Sequence, residues 1–188
     1  MKKEIEIKLR IDEKKFNELV NDKKNFQFER TLGFFMKDEE NTKKGIFPRI
    51  KDVTKNGERK AYITVKVKKL DEVSKMFKRD EYEFILNNSS DEIINEIAGV
   101  FKALEYPIVE IFDKRRYFLP KMNNCDVIVD ELPFGYFVEI EGEEDEIEKS
   151  ISELELMDYE RNTQAYLGIW EDFKRANNMP MTEECVFK

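Results

Sequence analysis

The chain opens on a strict alternation. In "EIEIKLR", residues 4–10, Glu4, Glu6, Lys8 and Arg10 take one parity while Ile5, Ile7 and Leu9 take the other. Successive side chains of a β-strand point to opposite faces, so this is a strand with one apolar and one ionic face. The pattern returns along the chain. Arg49 and Lys51 share a face, as do Lys66 and Lys68 in phase with Thr64. Arg79, Glu81 and Glu83 follow, then Lys114 and Arg116, and finally Glu139 and Glu141. The residues between them are mostly apolar, among them Ile50, Val65, Val67, Tyr82, Phe84 and Ile140. The fold must therefore be rich in strands, and those strands must place a great deal of charge.

Where the charge goes decides what the chain can do. Charged residues make up 39% of the sequence, against about a quarter of an ordinary globular composition. A solvated face is the plain answer for any single amphipathic strand. The series as a whole resists it, because the signs segregate. Two cationic strands precede the Arg-Glu-Glu strand, another cationic pair follows it, and carboxylate pairs open and close the set. Like charges about 7 Å apart repel unless each cluster has a counter-charge. A closed sheet offers a solution, with apolar faces packed outward under helices and ionic faces lining a wet interior. A ligand for that interior needs several negative charges for Lys and Arg, and must bring divalent cations for the carboxylates. A triphosphate–metal complex meets both demands. A DNA groove would use only the cations, and a calcium site only the carboxylates.

The element pattern agrees with such a sheet. Strands are expected at "EIEIKLR", "FQFERTLGFFM", "IFPRIKDV", "KAYITVKVKK", "FKRDEYEFIL", "VEIFDKRRYFL", "CDVIVDEL" and "YFVEIEG", with "KDEENTKKG" as a loop. Asn56-Gly57 is a hairpin signal. Helices are expected behind Asp12, behind Ser89 or Ser90, and over the two terminal segments "EDEIEKSISELELM" and "RNTQAYLGIWEDFKRANN". In the middle helix Ile93, Ile94, Ile97, Val100, Phe101 and Leu104 form the apolar face, and in the last helix Tyr166, Trp170 and Phe173 read as packing residues. Eight strands in short-looped succession predict an α+β fold with an antiparallel sheet closed as a β-barrel. No repeat or linker divides the chain, so one domain over 1–188 is expected, with barrel strands over about 3–142 and C-terminal helices over about 144–178.

Composition narrows the chemistry. There is no His at all, which removes Ser–His and Cys–His nucleophilic catalysis and leaves any metal to oxygen ligands. Cys125 and Cys185 fit no zinc spacing and are expected to be reduced thiols. A net charge of −8 argues against duplex nucleic acid and anionic membrane as partners. No apolar run is long enough to span a bilayer, and the N-terminus lacks a signal-peptide core, so a cytoplasmic location is expected. Monomer and homodimer both stay open.

Glu4-Ile-Glu-Ile-Lys8 resembles the Glu-x-Glu-x-Lys signature of the CYTH domain, or triphosphate tunnel metalloenzyme, family. That family includes class IV adenylyl cyclases, thiamine triphosphatases and inorganic triphosphatases. The ordered set "RIK", "TVKVK", "RDEYE", "KRR" and "VDELPFGYFVEIEG" extends the resemblance to residue 142, and the closing helix with Tyr166 is also similar. The resemblance implies an eight-stranded barrel enclosing a triphosphate with Mg²⁺ or Mn²⁺. By position, Glu4, Glu6, Glu139 and Glu141 match the metal-binding carboxylates, with Glu81 and Glu83 as further ligands or orienters of water. Lys8, Arg49, Lys51, Lys66, Lys68, Arg79, Lys114 and Arg116 match the triphosphate-binding set. Asp130 matches the acidic residue before the last strand, so Glu4, Glu6, Lys8 and Asp130 are the catalytic candidates. Lys51 stands where many relatives have Arg.

The expected function is divalent-metal-dependent hydrolysis of a small inorganic, thiamine or nucleoside triphosphate. Class IV adenylyl cyclase chemistry, giving cyclic AMP and pyrophosphate from ATP, is the alternative. A noncatalytic triphosphate- or polyphosphate-binding module is the second.

Overall fold

Strands built from alternating sequence pair here partly with chain neighbours and partly with distant segments. The computed structural model describes residues 2–34, 46–68, 77–87 and 89–188, with backbone alone at 2–4, 46–47, 66, 68, 77–80 and 108–109. The order is β1 (Lys2–Ile11), α1 (Glu13–Leu19), β2 (Gln27–Phe34), β3 (Ile46–Lys55), β4 (Glu58–Lys68), β5 (Phe77–Asn87) and α2 (Asp91–Ala103). Then come β6 (Ile108–Phe118), β7 (Asp126–Leu132), β8 (Gly135–Glu141), α3 (Glu144–Glu153), β9 (Glu160–Asn162) and α4 (Tyr166–Ala176). The expected "KDEENTKKG" loop lies outside the described residues.

Local chemistry sets several boundaries. Asp12 caps α1 by accepting from the Lys15 N–H at 2.7 Å, and Ser90 caps α2 by accepting from the Ile93 N–H at 3.3 Å. Asn56 and Gly57 both take positive φ, 52° and 81°, as a tight hairpin between twisted strands requires. The last helix starts later than its sequence pattern implied. Glu160–Asn162 instead forms β9 against Lys8–Arg10 of β1, and α4 begins at Tyr166.

The sheet is antiparallel in the order β5-β4-β3-β2-β6-β7-β8-β1-β9. This corrects the expected eight-stranded closed barrel, since the described residues form nine strands and the run ends on β9. One edge of β1 pairs with β8 over Glu6–Ile11. Its other edge is shared, with β5 meeting Lys2–Glu6 and β9 meeting Lys8–Arg10. The sheet thus returns on itself over five residue pairs only.

Helices cover the apolar face. Ile5, Ile7, Leu9, Val127, Val129, Val138 and Ile140 pack under Phe16 and Val20, with Ile147 and Ile151 of α3. Each such side chain, fully buried, contributes about 1.5–3 kcal/mol. On the far side α2 sets Ile94 and Ala98 on Phe34, Ile50 and Ala61. That cover is incomplete: Tyr82 and Phe84 of β5 are more than half exposed, as are Val100 of α2 and Leu104 at its C-terminal cap. The apolar face of α2 is therefore narrower than its spacing implied. Cys125 and Cys185 are free thiols in separate clusters.

Candidate functional site

Strand register puts every predicted site residue on the face opposite those helices. Direct partners across an antiparallel pair point the same way. Going round the sheet, Glu6 faces Glu141 and Lys8 faces Glu139, while Arg116 faces Asp130. Gly33 faces Arg49 and Thr31 faces Lys51 on one side of β2, and Glu29 faces Lys114 on the other. Thr64 faces Arg49 and Glu83, Lys66 faces Glu81, Lys68 faces Arg79, and Arg79 faces Glu4. For Glu4, Lys66, Lys68 and Arg79 the backbone alone carries this placement, because their side chains lie outside the described residues.

The face is concave. Arg116 Nη2 reaches Glu139 Oε1 at 3.2 Å from β6 to β8, passing over β7. Lys51 Nζ reaches Glu83 Oε2 at 2.8 Å and Arg49 Nη2 lies 3.7 Å from Glu81 Oε1, both from β3 to β5 over β4. Strands two apart are separated by about 10 Å at the backbone, so such pairs close readily only where side chains converge.

At its centre the face is buried. Asp130 is fully enclosed, and Glu6, Lys8, Glu29, Lys114 and Glu139 are nearly so. Asp130 accepts from Arg116 Nε at 2.8 Å and Nη2 at 2.6 Å, and from the Tyr166 hydroxyl at 2.9 Å. Lys114 Nζ lies 3.0 Å from Glu29 Oε1 and 3.8 Å from Asp130 Oδ2. Lys8 Nζ donates to Glu6 Oε1 and lies 3.7 Å from Glu139 Oε2. Both ammonium groups meet one ring: Lys8 Nζ lies 5.3 Å and Lys114 Nζ 5.5 Å from the Tyr166 centroid.

The electrostatics follow from this crowding. Burial works to raise the Glu29 carboxyl, but Lys114, Arg116 and Lys51 overcome it and hold the group at about 2. That Lys51 acts on Glu29 joins the β3 cations to the β6 cluster. Burial also works to raise Glu139, aided by the nearby charge of Glu6, yet Arg116, Lys8 and Lys114 hold it at about 2. The Tyr166 phenol is pushed well above its usual range by burial and by the Asp130 and Glu139 carboxylates, which keeps it a proton donor.

Signs segregated along the sequence are interleaved in space. β3 cations meet β5 carboxylates, and β6 cations meet those of β7 and β8. The expected need for an outside counter-charge is thereby met in large part from within. Among the described residues no three acidic side chains are gathered closely enough to hold a metal ion. Two carboxylate pairs still stand close together, since Glu6 faces Glu141 across β1 and β8 and its charge bears on Glu139. Their all-oxygen donor set suits a hard divalent cation.

Three residues escaped the sequence pattern. Glu29 is the lone charge of its parity in β2, with Gln27, Thr31 and Gly33 beside it on that face, and only the register of β2 with β6 places it beside Lys114. Tyr166 has the helical spacing of a packing residue and does pack against Phe112 and Phe137; its hydroxyl nonetheless enters the charged cluster. Glu110, opposite Gly33 on the same face, is 7% exposed, with neither carboxylate oxygen hydrogen-bonded among the described residues. Burial raises it to about 7, opposed by Lys174 and reinforced by Glu171. Beside it, Ile169 and Trp170 of α4 pack on Phe112, Leu132 and Phe137 and cover one end of the concave face with apolar surface.

No protein-family model and no curated protein matches the chain. Solved structures do. The PH1819 protein of Pyrococcus horikoshii aligns at a TM-score of 0.68 and 22% identity, over 90% of this chain and 99% of its own. A proposed adenylate cyclase of Bacillus halodurans aligns at 0.66 and 15%, again over 90% and 99%. HpAC1 of Hippeastrum, a proposed adenylyl cyclase described as having a dominant triphosphatase activity, aligns at 0.64 and 16%, over 98% and 100%. The chain shares their fold. That likeness agrees with the resemblance of its charged strands to the CYTH, or triphosphate tunnel, family. Among the described residues no helix is long and apolar enough to cross a membrane.

Proposed function

We propose that the chain processes a small triphosphate on its concave face, by divalent-metal-dependent hydrolysis of the phosphate chain. The observation that carries this reading is the convergence of Lys8 and Lys114 on Tyr166, with Arg116 held beside them by Asp130. Cations from strands three steps apart there meet within the span of a phosphate chain. Arg116 and Arg49 offer guanidinium N–H donors to phosphoryl oxygens, and Lys8, Lys51 and Lys114 offer point charges. Lys66, Lys68 and Arg79 extend the set by register. The curvature that lets side chains reach over an intervening strand gives that ligand a concave seat.

Glu4, Glu6, Glu139 and Glu141 would hold Mg²⁺ or Mn²⁺, with Glu81 and Glu83 opposite. A metal so bound supplies charge neutralisation at phosphoryl oxygens and a water of lowered pKa. The chain's own residues bind and orient: Arg116, Lys114 and Lys8 take up the charge that spreads over the phosphoryl oxygens as the terminal bond breaks. The apolar end under α4 limits water there. No protein nucleophile is needed, in keeping with the absence of His.

The fold shared with HpAC1, described as having dominant triphosphatase activity, favours hydrolysis as the first reading. The names of two neighbours favour adenylyl cyclase chemistry as the second. One assay separates them: ATP, thiamine triphosphate and tripolyphosphate, each with Mg²⁺ or Mn²⁺, with phosphate, pyrophosphate and cyclic AMP resolved as products. Release of phosphate, lost in Glu6→Gln and Lys51→Ala, supports hydrolysis. Cyclic AMP with pyrophosphate would replace it by the cyclase reading, and binding without turnover would leave a binding module.

A further inference from the structure

Strands build most of the charged face, but one of its groups comes from a helix. Tyr166 comes from α4, fully surrounded, with its ring against Phe112 and Phe137 at centroid distances of 6.5 and 5.4 Å. A Phe would pack there equally well. The hydroxyl is what packing does not need, and it donates to Asp130 Oδ2, the oxygen that also accepts from Arg116 Nη2 and lies 3.8 Å from Lys114.

Asp130 has no solvent to turn to. A carboxylate offers about four acceptor sites, and two cations compete for this one. Without the hydroxyl, Oδ2 would keep only cationic partners and could swing from Arg116 toward Lys114. A neutral donor holds the carboxylate in register with the guanidinium while adding no positive charge of its own. We propose that Tyr166 is a positioning residue, which fixes Asp130 and through it keeps Arg116 and Lys114 aimed at an anion on the concave face. The identity of that anion rests on the triphosphate reading, whereas the positioning itself does not.

The test pairs Tyr166→Phe, which keeps the ring, with Asp130→Asn and the double variant. Thermal unfolding first establishes that each is folded. NMR of the Arg116 Nε–H then reads the guanidinium in the free protein, and calorimetry with sodium tripolyphosphate reads anion affinity. Tyr166→Phe should speed Arg116 Nε–H exchange and weaken tripolyphosphate binding about tenfold, equivalent to about 1.4 kcal/mol. In the Asp130→Asn background it should change neither. Unchanged exchange and affinity in Tyr166→Phe would overturn the proposal. So would losses that add in full across the double variant, because the hydroxyl would then act on the ligand directly. If the wild type ignores tripolyphosphate while Tyr166→Phe still frees Arg116, the positioning stands and the triphosphate reading falls.

Discussion

Lys8 and Lys114 leave strands three steps apart in the sheet, yet their ammonium groups come within 5.3 and 5.5 Å of the same Tyr166 ring centroid. Two like charges gather around one ring because each has its own carboxylate, Glu6 for Lys8 and Glu29 for Lys114. The face thus holds its cations in place while their charge is largely offset by carboxylates from within. On the triphosphate reading proposed above, an arriving phosphate would compete with internal carboxylates for donors already in place, which would avoid much of the cost of ordering them on binding.

The Asp130–Arg116 pair should reveal itself in stability before activity. Asp130→Ala leaves a buried guanidinium without its bidentate partner and should destabilise by about 3–5 kcal/mol in urea unfolding. Replacing Glu148, whose pair with Arg161 is exposed, should cost less than about 1 kcal/mol. Equal losses at the two sites would show that the interior is not dry.

Two opposing pH trends are expected. Glu29 and Glu139 are held at about 2, so the stability they contribute is present above the ordinary carboxyl range and is lost as pH falls from about 4.5 toward 2. Glu110 behaves in reverse. Raised to about 7, it is favoured in its neutral form, and its contribution is complete below about pH 4.5 and lost as pH rises through 7. Glu110→Gln should therefore flatten the decline of Tm between pH 5 and 8, a decline worth on the order of 3 kcal/mol. An identical decline in the variant would show that Glu110 titrates normally.

Gly142 follows the last residue of β8 and lies against Cys125. A Cβ there would lie 2.6 Å from the Cys125 sulfur, which is wholly buried. Gly142→Ala should cost about 1–3 kcal/mol through overpacking, and adding Cys125→Ala should recover part of it. No recovery in the double variant would place the strain elsewhere.

Much of this was legible in the sequence because a strand's two-residue period is local. The parity of Glu6, Lys8, Arg49, Lys51 and Glu139 assigned their face before any pairing was known, and Asp12, Ser90 and Asn56-Gly57 marked ends by their own hydrogen-bonding chemistry. What was not legible is tertiary. β9 is three residues whose only reason to be a strand is the half-edge of β1 that β5 leaves open. Glu29 is a single charge whose meaning depends on Lys114 in a strand 85 residues later. Tyr166 obeys the spacing of a packing residue, and the destination of its hydroxyl is set by where α4 docks. Sequence order shows the signs of charge one strand at a time, whereas ion pairs reach over a strand.

The most direct measurement is isothermal titration with tripolyphosphate, with and without Mg²⁺, on the wild type and on Lys114→Met. The account predicts saturable one-to-one binding by the wild type, strengthened by Mg²⁺ and weakened at least tenfold in the folded variant. No binding by the wild type in either condition, or equal binding by both proteins, would contradict it.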